Sequence, residues 1–283
     1  MRKSPSLTNM PNGRSRTRAH WRTARPSVLV VACHPDDAEL GVGGTTRGLA
    51  EQGYRVIVVY LTRGEKGGNP ETRARESVRA CGLLGVSRRD VHFGPFRDTR
   101  VPDDHSPIAY LERFHQKELV MALIPSVHEK HQDHRHAAHA AETALRCVPR
   151  LLAYESPSTT AAFMPTSFAD ITHHLDDKWR ALQCHRSQLA KCMSLEYESM
   201  VHLAAFRGQQ TGVRFAEAFE TLRFVLPMAP ARSDPNPRCL SIVSTACPAA
   251  LKQHRSKTLH PRGRDRNLRR PGFTVPSGQT CPA

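Results

Sequence analysis

The chain has 283 residues and a formal net charge of +15, but the excess charge is confined to its two ends. Residues 1–27 carry seven basic and no acidic side chains, and residues 229–283 carry ten basic and two acidic ones. Residues 28–228 are left with 24 of each sign, so the charge gives no support for a nucleic-acid-binding core. A run of about eighteen apolar residues, which a transmembrane helix would need, does not occur, so no transmembrane segment is predicted.

Both ends are predicted to be disordered tails. Residues 1–27 are rich in arginine, serine and threonine and lack the apolar segment of a secretory signal peptide. Residues 229–283 are rich in proline and arginine and show neither a helical nor a strand period. The folded domain is therefore predicted to occupy residues 28–228.

The first element of this domain is a short apolar run, Val28–Ala32, which predicts a strand buried on both faces, as in a parallel sheet. The run ends at His34-Pro35-Asp36-Asp37, because proline cannot donate to a strand ladder. Three ionisable side chains therefore follow the carboxyl end of a buried strand, where ligands bind in open α/β sheets. A helix is predicted to follow from Glu39 to Gln52.

The residue types in this turn suit a metal site. His34 and Asp37 are three residues apart, and an imidazole nitrogen with a carboxylate oxygen is a donor pair that zinc accepts. Asp36 lies beside them and could act as a base. An ordinary acidic turn with a helix N-cap is the structural alternative. Cys33 is predicted to be a buried core residue, because free cysteines are usually buried.

Alternating strands and helices continue along the chain. A second strand, Val56–Leu61, runs into the loop Thr62–Gly68, which is rich in glycine but lacks the G-K-[ST] ending of a phosphate-binding loop. A helix is predicted over Glu71–Leu84 and a short strand over Val91–Phe93. Asp103–His105 is predicted to be a turn before a helix.

The second polar motif, His131-Gln132-Asp133-His134, follows the apolar strand Leu119–Ile124. It is therefore expected at the same sheet edge as the first motif, where it can supply the third protein ligand of an open zinc site. Asp133 can hold an imidazole in one tautomer. Its structural alternative is to cap the helix predicted to run to about Cys147.

A strand at Leu151–Tyr154 and helices at Asp176–Lys191 and Glu196–Gly208 complete the pattern. It predicts a single α/β domain with a mostly parallel sheet flanked by helices. The topology is expected to be Rossmann-like without a dinucleotide, since no G-x-G-x-x-G follows the first strand. None of the eight cysteines forms C-x-x-C, which favours a reduced, cytoplasmic setting.

The two motifs together resemble the signatures of the LmbE-like (PIG-L) deacetylases. These are zinc-dependent enzymes that remove acetyl groups from N-acetylglucosaminyl compounds. His34-Pro35-Asp36-Asp37-Ala38-Glu39 matches the first signature and His131-Gln132-Asp133-His134 the second, in the right order and at the right separation. The resemblance covers about residues 28–227 and implies the LmbE-like fold.

The resemblance also implies a role for each motif residue. The zinc ligands would be His34, Asp37 and His134. Asp36 would take a proton from the zinc-bound water that attacks the acetamide, and protonated His131 would stabilise the oxyanion. Asp133 would orient His131 and keep it charged. Fe(II) fits the same ligand set.

Three further residues match positions that contact substrate in the family: Glu65, Arg73 and Asp98. Glu65 lies in a Thr-x-Gly-Glu segment and is expected near sugar hydroxyls, with an ordinary polar loop as the alternative. Arg73 falls on the substrate-binding arginine, with a surface ion pair to Glu76 as the alternative. Asp98 is a weaker match, because the family often has Pro-Asp-Gly where this chain has Arg97-Asp98-Thr99.

The partner predicted from these motifs is a small N-acetylated aminosugar or glycoconjugate. Two other functions stay open. One is an amidase that cleaves a larger aminosugar amide conjugate, and the other is a non-enzymatic binding protein whose basic tails contact nucleic acid or an acidic surface. The sequence does not specify the sugar, the native metal or whether the chain forms a homo-oligomer.

Overall fold

The computed structural model describes residues 25–189, 191 and 196–226. Apart from residues 25–27, both predicted tails lie outside the described residues, so their disorder stays a prediction. Within the described ranges, no helix has the length and apolar character needed to cross a membrane.

The domain is built on a seven-stranded sheet with the strand order β3-β2-β1-β4-β5-β7-β6. The strands are β1 Ser27–Ala32, β2 Arg55–Tyr60, β3 Val91–Phe93, β4 Leu119–Pro125, β5 Arg150–Tyr154, β6 Ser167–Asp170 and β7 Ala216–Phe224. Strands β1 to β5 are parallel, whereas β7 runs antiparallel to β5 and β6 antiparallel to β7. The mostly parallel sheet and the α/β class are confirmed.

Helices lie on both faces of the sheet. The described helices are α1 Asp37–Glu51, α2 Pro70–Leu83, α3 His105–Glu112, α4 Gln132–Ala144, α5 Leu175–Leu182, α6 Arg186–Leu189 and α7 Tyr197–Gln209, with a 3-10 turn at Arg88–Asp90. The single helix predicted over residues 176–191 is wrong, because the helix is interrupted between Leu182, where α5 ends, and Arg186, where α6 begins. The break buries His185, whose Nε2 lies 3.5 Å from Oε2 of Glu39.

Strand β1 is the centre of the fold. All six of its residues are buried, as the apolar run predicted. Leu29 and Val31 face a core that includes alanines of α4, while Val28 and Val30 face a second core that includes residues of α1. Cys33 is also buried in the core, and its thiol donates to the main-chain oxygen of Asp133 at 3.2 Å.

Helix α1 is interrupted near the sheet edge by Val42, which has a non-helical conformation (φ −137°, ψ 24°). Just beyond it, the main-chain N–H groups of Gly44 and Thr45 donate to the carboxylate of Glu217 at 3.0 and 2.8 Å. Nζ of Lys178 lies 2.6 Å from the same carboxylate. Glu217, from strand β7, therefore caps the second half of α1 as an N-cap side chain would.

Replacing Glu217 with glutamine is expected to destabilise the protein by about 3 kcal/mol, because Lys178 would remain buried without its counter-charge. The matched control is Glu112→Gln, which removes an exposed partner of Arg146 and should cost less than about 1 kcal/mol. Urea denaturation of the two variants measures both values, and equal losses would contradict the role given to Glu217.

Candidate metal and catalytic site

The two polar motifs meet at one edge of the sheet. Strands β1 and β4 are parallel neighbours, so the residues that follow them emerge side by side. The turn after β1 carries His34, Asp36 and Asp37, and the loop after β4 leads into α4 with His131 and His134. The structure thus brings together side chains that lie about a hundred residues apart in the sequence.

Three donor atoms converge between the motifs. Nδ1 of His34 lies 3.4 Å from Oδ2 of Asp37 and 3.3 Å from Nε2 of His134. The third separation, from Nε2 of His134 to Oδ2 of Asp37, is 3.2 Å. A tetrahedral zinc ion with bonds of about 2.0–2.1 Å places its ligand atoms about 3.3 Å apart. The spacing is therefore that of one face of such a site.

Each imidazole has a carboxylate behind its other nitrogen. Nε2 of His34 lies 3.2 Å from Oδ1 of Asp98 and 3.3 Å from Oδ2 of Asp133. Nδ1 of His134 lies 3.5 Å from Oε2 of Glu129. The inner nitrogens face the carboxylate of Asp37 as well. With a metal ion on the inner side, the protons of the neutral rings belong on the outer nitrogens, where these carboxylates accept them, as is typical of histidines that bind metal.

This assignment leaves lone pairs on His34 Nδ1 and His134 Nε2, both facing the carboxylate of Asp37. Three buried acceptors then face one another with no side-chain hydrogen between them, although the main-chain N–H of His34 donates to Oδ2 of Asp37 at 2.8 Å. Such an arrangement is unfavourable unless a cation or a proton joins the acceptors. The residues therefore fit a metal ion that accepts mixed nitrogen and oxygen donors, such as zinc.

Protons compete with a cation at this point. Burial lowers the pKa of His34, but hydrogen bonds to Asp133, Asp37 and Asp98 outweigh it and hold this pKa well above its ordinary value. Burial likewise opposes a charge on His134, but Asp37 and then Glu129 raise its pKa to about 9. The metal-free site therefore favours binding a proton at the point where the donors meet.

Asp36 lies beside the donors in a strained conformation. Its φ of 108° is in the left-handed region, which is rare for residues other than glycine. Nη2 of Arg73 donates to Oδ2 of Asp36 at 3.1 Å and to the main-chain oxygen of Pro35 at 2.7 Å. Burial, followed by the charge of Asp37, raises the pKa of Asp36 to about 6. The arginine thus holds both the backbone and the carboxylate of this residue.

The glycine-rich loop after β2 packs around Arg73. Nη1 of Arg73 donates to the main-chain oxygen of Gly64 at 2.7 Å, and a Cβ atom added to Gly64 would collide with the same nitrogen. Arg73 is only 5% exposed. The surface ion pair with Glu76 is not formed, because Glu76 instead accepts from the main-chain N–H of Ser187 at 2.9 Å and from its hydroxyl at 2.6 Å. Arg73 is therefore a buried residue that joins the loop after β2 to Asp36.

Glu65 and Asp98 join the loops that follow β2 and β3. The main-chain N–H of Asp98 donates to Oε1 of Glu65 at 2.9 Å, and that of Lys66 donates to Oδ2 of Asp98 at 3.0 Å. Asp98 is buried and also contacts His34. The substrate contacts expected of Glu65, Arg73 and Asp98 stay predictions, and in the structure all three bind groups of the chain itself.

His131, not Asp133, caps helix α4, because Nδ1 of His131 accepts from the main-chain N–H of Asp133 at 3.2 Å. The carboxylate of Asp133 is fully buried and accepts from the main-chain N–H groups of Thr99 and Val101 at 2.7 and 3.2 Å, besides its contact with His34. The structure therefore links Asp133 to His131 through the main chain, while its carboxylate faces His34.

The state of His131 follows from this contact. Since its Nδ1 accepts a hydrogen bond, the proton of the neutral ring belongs on Nε2. Burial and then the charges of His34 and His134 lower the pKa of His131. The protonated ring expected from the sequence is therefore not favoured in the metal-free protein.

Glu129 is the site residue that the sequence analysis missed. It is 3% exposed and accepts hydrogen bonds from the hydroxyl groups of Ser156 at 2.6 Å, Thr159 at 2.7 Å and Ser158. The polar run after β5 could have suggested a buried acceptor nearby, but it does not indicate which one.

Residues 29–145, which include both motifs, match a family model described as PIG-L: GlcNAc-PI de-N-acetylase. The uncharacterised deacetylase YaiS of Escherichia coli strain K12 is 32% identical over 177 residues, which cover 58% of this chain and 92% of that protein. The chain belongs to the PIG-L (LmbE-like) deacetylase family.

Other comparisons agree with this membership. The diacetylchitobiose deacetylase of Thermococcus kodakarensis is 29% identical to this PIG-L family member over 225 residues, which cover 70% of this chain and 82% of that protein. The structure of N,N'-diacetylchitobiose deacetylase from Pyrococcus horikoshii superposes with a TM-score of 0.63 at 24% identity, over 72% of this chain and 88% of that one. The predicted family and LmbE-like fold are confirmed.

Metal binding is expected to release protons, because His34 and His134 must lose theirs before they can act as ligands. Calorimetric titration of zinc into the metal-free protein at pH 7, in two buffers of different ionisation enthalpy, should show a net release of protons. Affinity should fall as the pH is lowered from 9 to 6, through the range below the pKa of His134. The exposed His139 provides a control, since His139→Gln should release the same number. Binding without proton release would contradict the raised pKa of His34 and His134.

The packing around Arg73 predicts that Gly64→Ala destabilises the protein by about 2–4 kcal/mol, through its positive φ and the collision with Nη1. Gly82→Ala in α2 is the matched control, because nothing lies within 4 Å of the position its Cβ would take. That variant should be neutral or more stable by up to about 1 kcal/mol. Urea denaturation compares the two, and equal stability would show that the loop accommodates a side chain beside Arg73.

Proposed function

We propose that this chain hydrolyses the acetamide group of an N-acetylglucosaminyl-type substrate and releases acetate and a free amine. The observation that carries the proposal is the convergence of His34, Asp37 and His134, with donor separations of 3.2–3.4 Å, beside the carboxylate of Asp36. The relatives support the substrate type, since the matched family model is named for a GlcNAc-PI de-N-acetylase and one relative is a diacetylchitobiose deacetylase.

His34, Asp37 and His134 would hold the metal ion. When bound there, zinc supplies Lewis-acid chemistry, since it polarises a carbonyl group and makes a water molecule acidic near neutral pH. Ferrous iron satisfies the same donor set. Asp98, Asp133 and Glu129 would keep the two imidazoles oriented by accepting from their outer nitrogens.

Asp36 would act as the general base. Its carboxylate is held by Arg73 and is not needed to complete the three-donor set. A pKa of about 6 leaves it mostly ionised at pH 7 yet basic enough to accept a proton from the attacking water. The water oxygen then bonds to the acetyl carbon, the carbon–nitrogen bond breaks, and the departing nitrogen takes the proton that Asp36 received.

His131 would stabilise the negative charge that develops on the amide oxygen. Its Nε2 carries the proton in the tautomer set by the hydrogen bond at Nδ1, and its ring centroid lies 4.9 Å from that of His34. A hydrogen bond that is already directed at the reacting oxygen needs no reorganisation during the reaction. This role does not require the ring to be charged beforehand.

The other functions considered from the sequence remain separable from this one. An amidase acting on a larger aminosugar conjugate would use the same groups, so only the choice of amide distinguishes it. Binding through the basic tails, residues 1–27 and 229–283, predicts salt-sensitive association that is lost when these tails are removed. The cytoplasmic location stays a prediction from cysteine usage.

The decisive variant is Asp36→Asn, measured as acetate release from N,N'-diacetylchitobiose and N-acetylglucosamine with the metal content determined on the same samples. We expect kcat to fall about 100- to 10,000-fold, the range typical of a lost general base, with the metal retained. Asp103→Asn changes an exposed aspartate in the same way and should keep full activity.

Full activity in metal-replete Asp36→Asn would contradict the role of this residue as base. A wild-type protein that holds its metal but releases no acetate from either substrate would contradict the deacetylase proposal and favour a larger amide.

A further inference from the structure

A cleft lies near the site, and no residue of the proposed mechanism lines it. Its volume is about 610 Å³, within the range typical of small-molecule sites. Six of the side chains that line it are aromatic or basic: Arg63, His92, Phe93, Tyr110, Arg113 and Phe114. We call this surface the arginine cleft.

The arginine cleft is connected to the metal donors by short segments of chain. Arg63 directly precedes Gly64, whose carbonyl oxygen accepts a hydrogen bond from Arg73. Phe93 ends strand β3, and the chain then reaches Asp98, which contacts His34, within five residues. Strand β3 is the second neighbour of β1, so the two strand ends lie about 10 Å apart. This separation is one that a ligand the size of a glycoside can span.

Both arginines of the cleft are oriented by aromatic rings. The guanidinium carbon of Arg63 lies 5.3 Å from the ring centroid of Phe93, and that of Arg113 lies 5.4 Å from the ring centroid of Tyr110. Arg63 also pairs with Glu71 at 3.1 Å, but both side chains are exposed, and such a pair contributes little and exchanges readily. The cations are thus pre-positioned without being neutralised by a buried carboxylate.

The lining favours one kind of ligand. Among the described residues that line the cleft, none is aspartate or glutamate. Burial lowers the pKa of His92, so the positive charge comes from the two guanidinium groups. A guanidinium matches the two-oxygen edge of a carboxylate or phosphate, and the aromatic walls supply apolar surface for the group that carries the anion.

We propose that the arginine cleft binds an anionic group, a carboxylate or phosphate, on the aglycone of the N-acetylglucosaminyl substrate. The sugar half of this inference rests on the proposed function, whereas recognition of the anion rests on the cleft alone. Substrates with an anionic aglycone would then be selected over neutral ones by binding, with the acetamide presented to Asp36.

Direct binding tests the cleft independently of turnover. The probes are the 4-carboxyphenyl, 4-phosphonooxyphenyl and neutral 4-carbamoylphenyl glycosides of N-acetylglucosamine, each as both anomers, titrated calorimetrically into the full-length protein. We expect an anionic probe to bind at least about tenfold more tightly than the carbamoyl probe. This preference should disappear in the double variant Arg63→Gln/Arg113→Gln. Comparing the carboxylate with the phosphate probe identifies which anion the cleft prefers.

The matched control is Arg88→Gln/Arg89→Gln, which removes the same charge from exposed residues before β3, at the opposite end of that strand. It should keep the preference for the anionic probe. Equal binding of charged and neutral probes by the wild type, or an unchanged preference in Arg63→Gln/Arg113→Gln, would overturn the proposal. Equal loss in both double variants would also overturn it, because the effect would then be one of net charge.

Acetate release from the same probes separates the two inferences. Selective binding without acetate release would leave the anion site standing and contradict the deacetylase activity. Acetate release with equal kcat/KM for charged and neutral probes would support the activity and overturn the anion site.

Discussion

The site depends on one buried carboxylate, that of Asp37, which faces a ring nitrogen from each of two imidazoles. Such a group of acceptors is unfavourable in a low-dielectric interior unless a metal ion or a proton joins them. Much of the surrounding structure maintains this arrangement. Adjacent parallel strands bring the two histidines together, and Asp98, Asp133 and Glu129 fix the protons on the outer nitrogens.

A second constraint is the backbone of Asp36. The turn after β1 takes a left-handed conformation there, which costs free energy for a residue with a side chain. Arg73 offsets that cost by binding the neighbouring carbonyl and the carboxylate together, and the glycines after β2 leave room for its guanidinium group. The glycine-rich loop therefore serves an arginine of the chain itself, although its composition alone could suggest a phosphate ligand.

The sequence predicts the centre of this fold better than its periphery. The apolar run at β1 and the two motifs specify the parallel strands and the edge at which His34 and His134 meet, because these features are local. The edge strand β6 is short and partly exposed, so it leaves no pattern to detect. Glu129 contacts His134, and Glu217 caps helix α1. Both are contacts of individual side chains, which local periodicity does not predict. The sequence placed Arg73 among the candidate site residues, but it did not predict that its side chain would bind Pro35 and Asp36.

The interrupted helix α1 ties the beginning of the domain to its end. All three proposed donors, His34, Asp37 and His134, are present once residue 134 has been synthesised, yet the carboxylate that caps the second half of α1 comes from residue 217. A growing chain therefore carries the complete set of donors long before the helix next to them has its cap. The second half of α1 therefore gains its cap only after strand β7 has been synthesised.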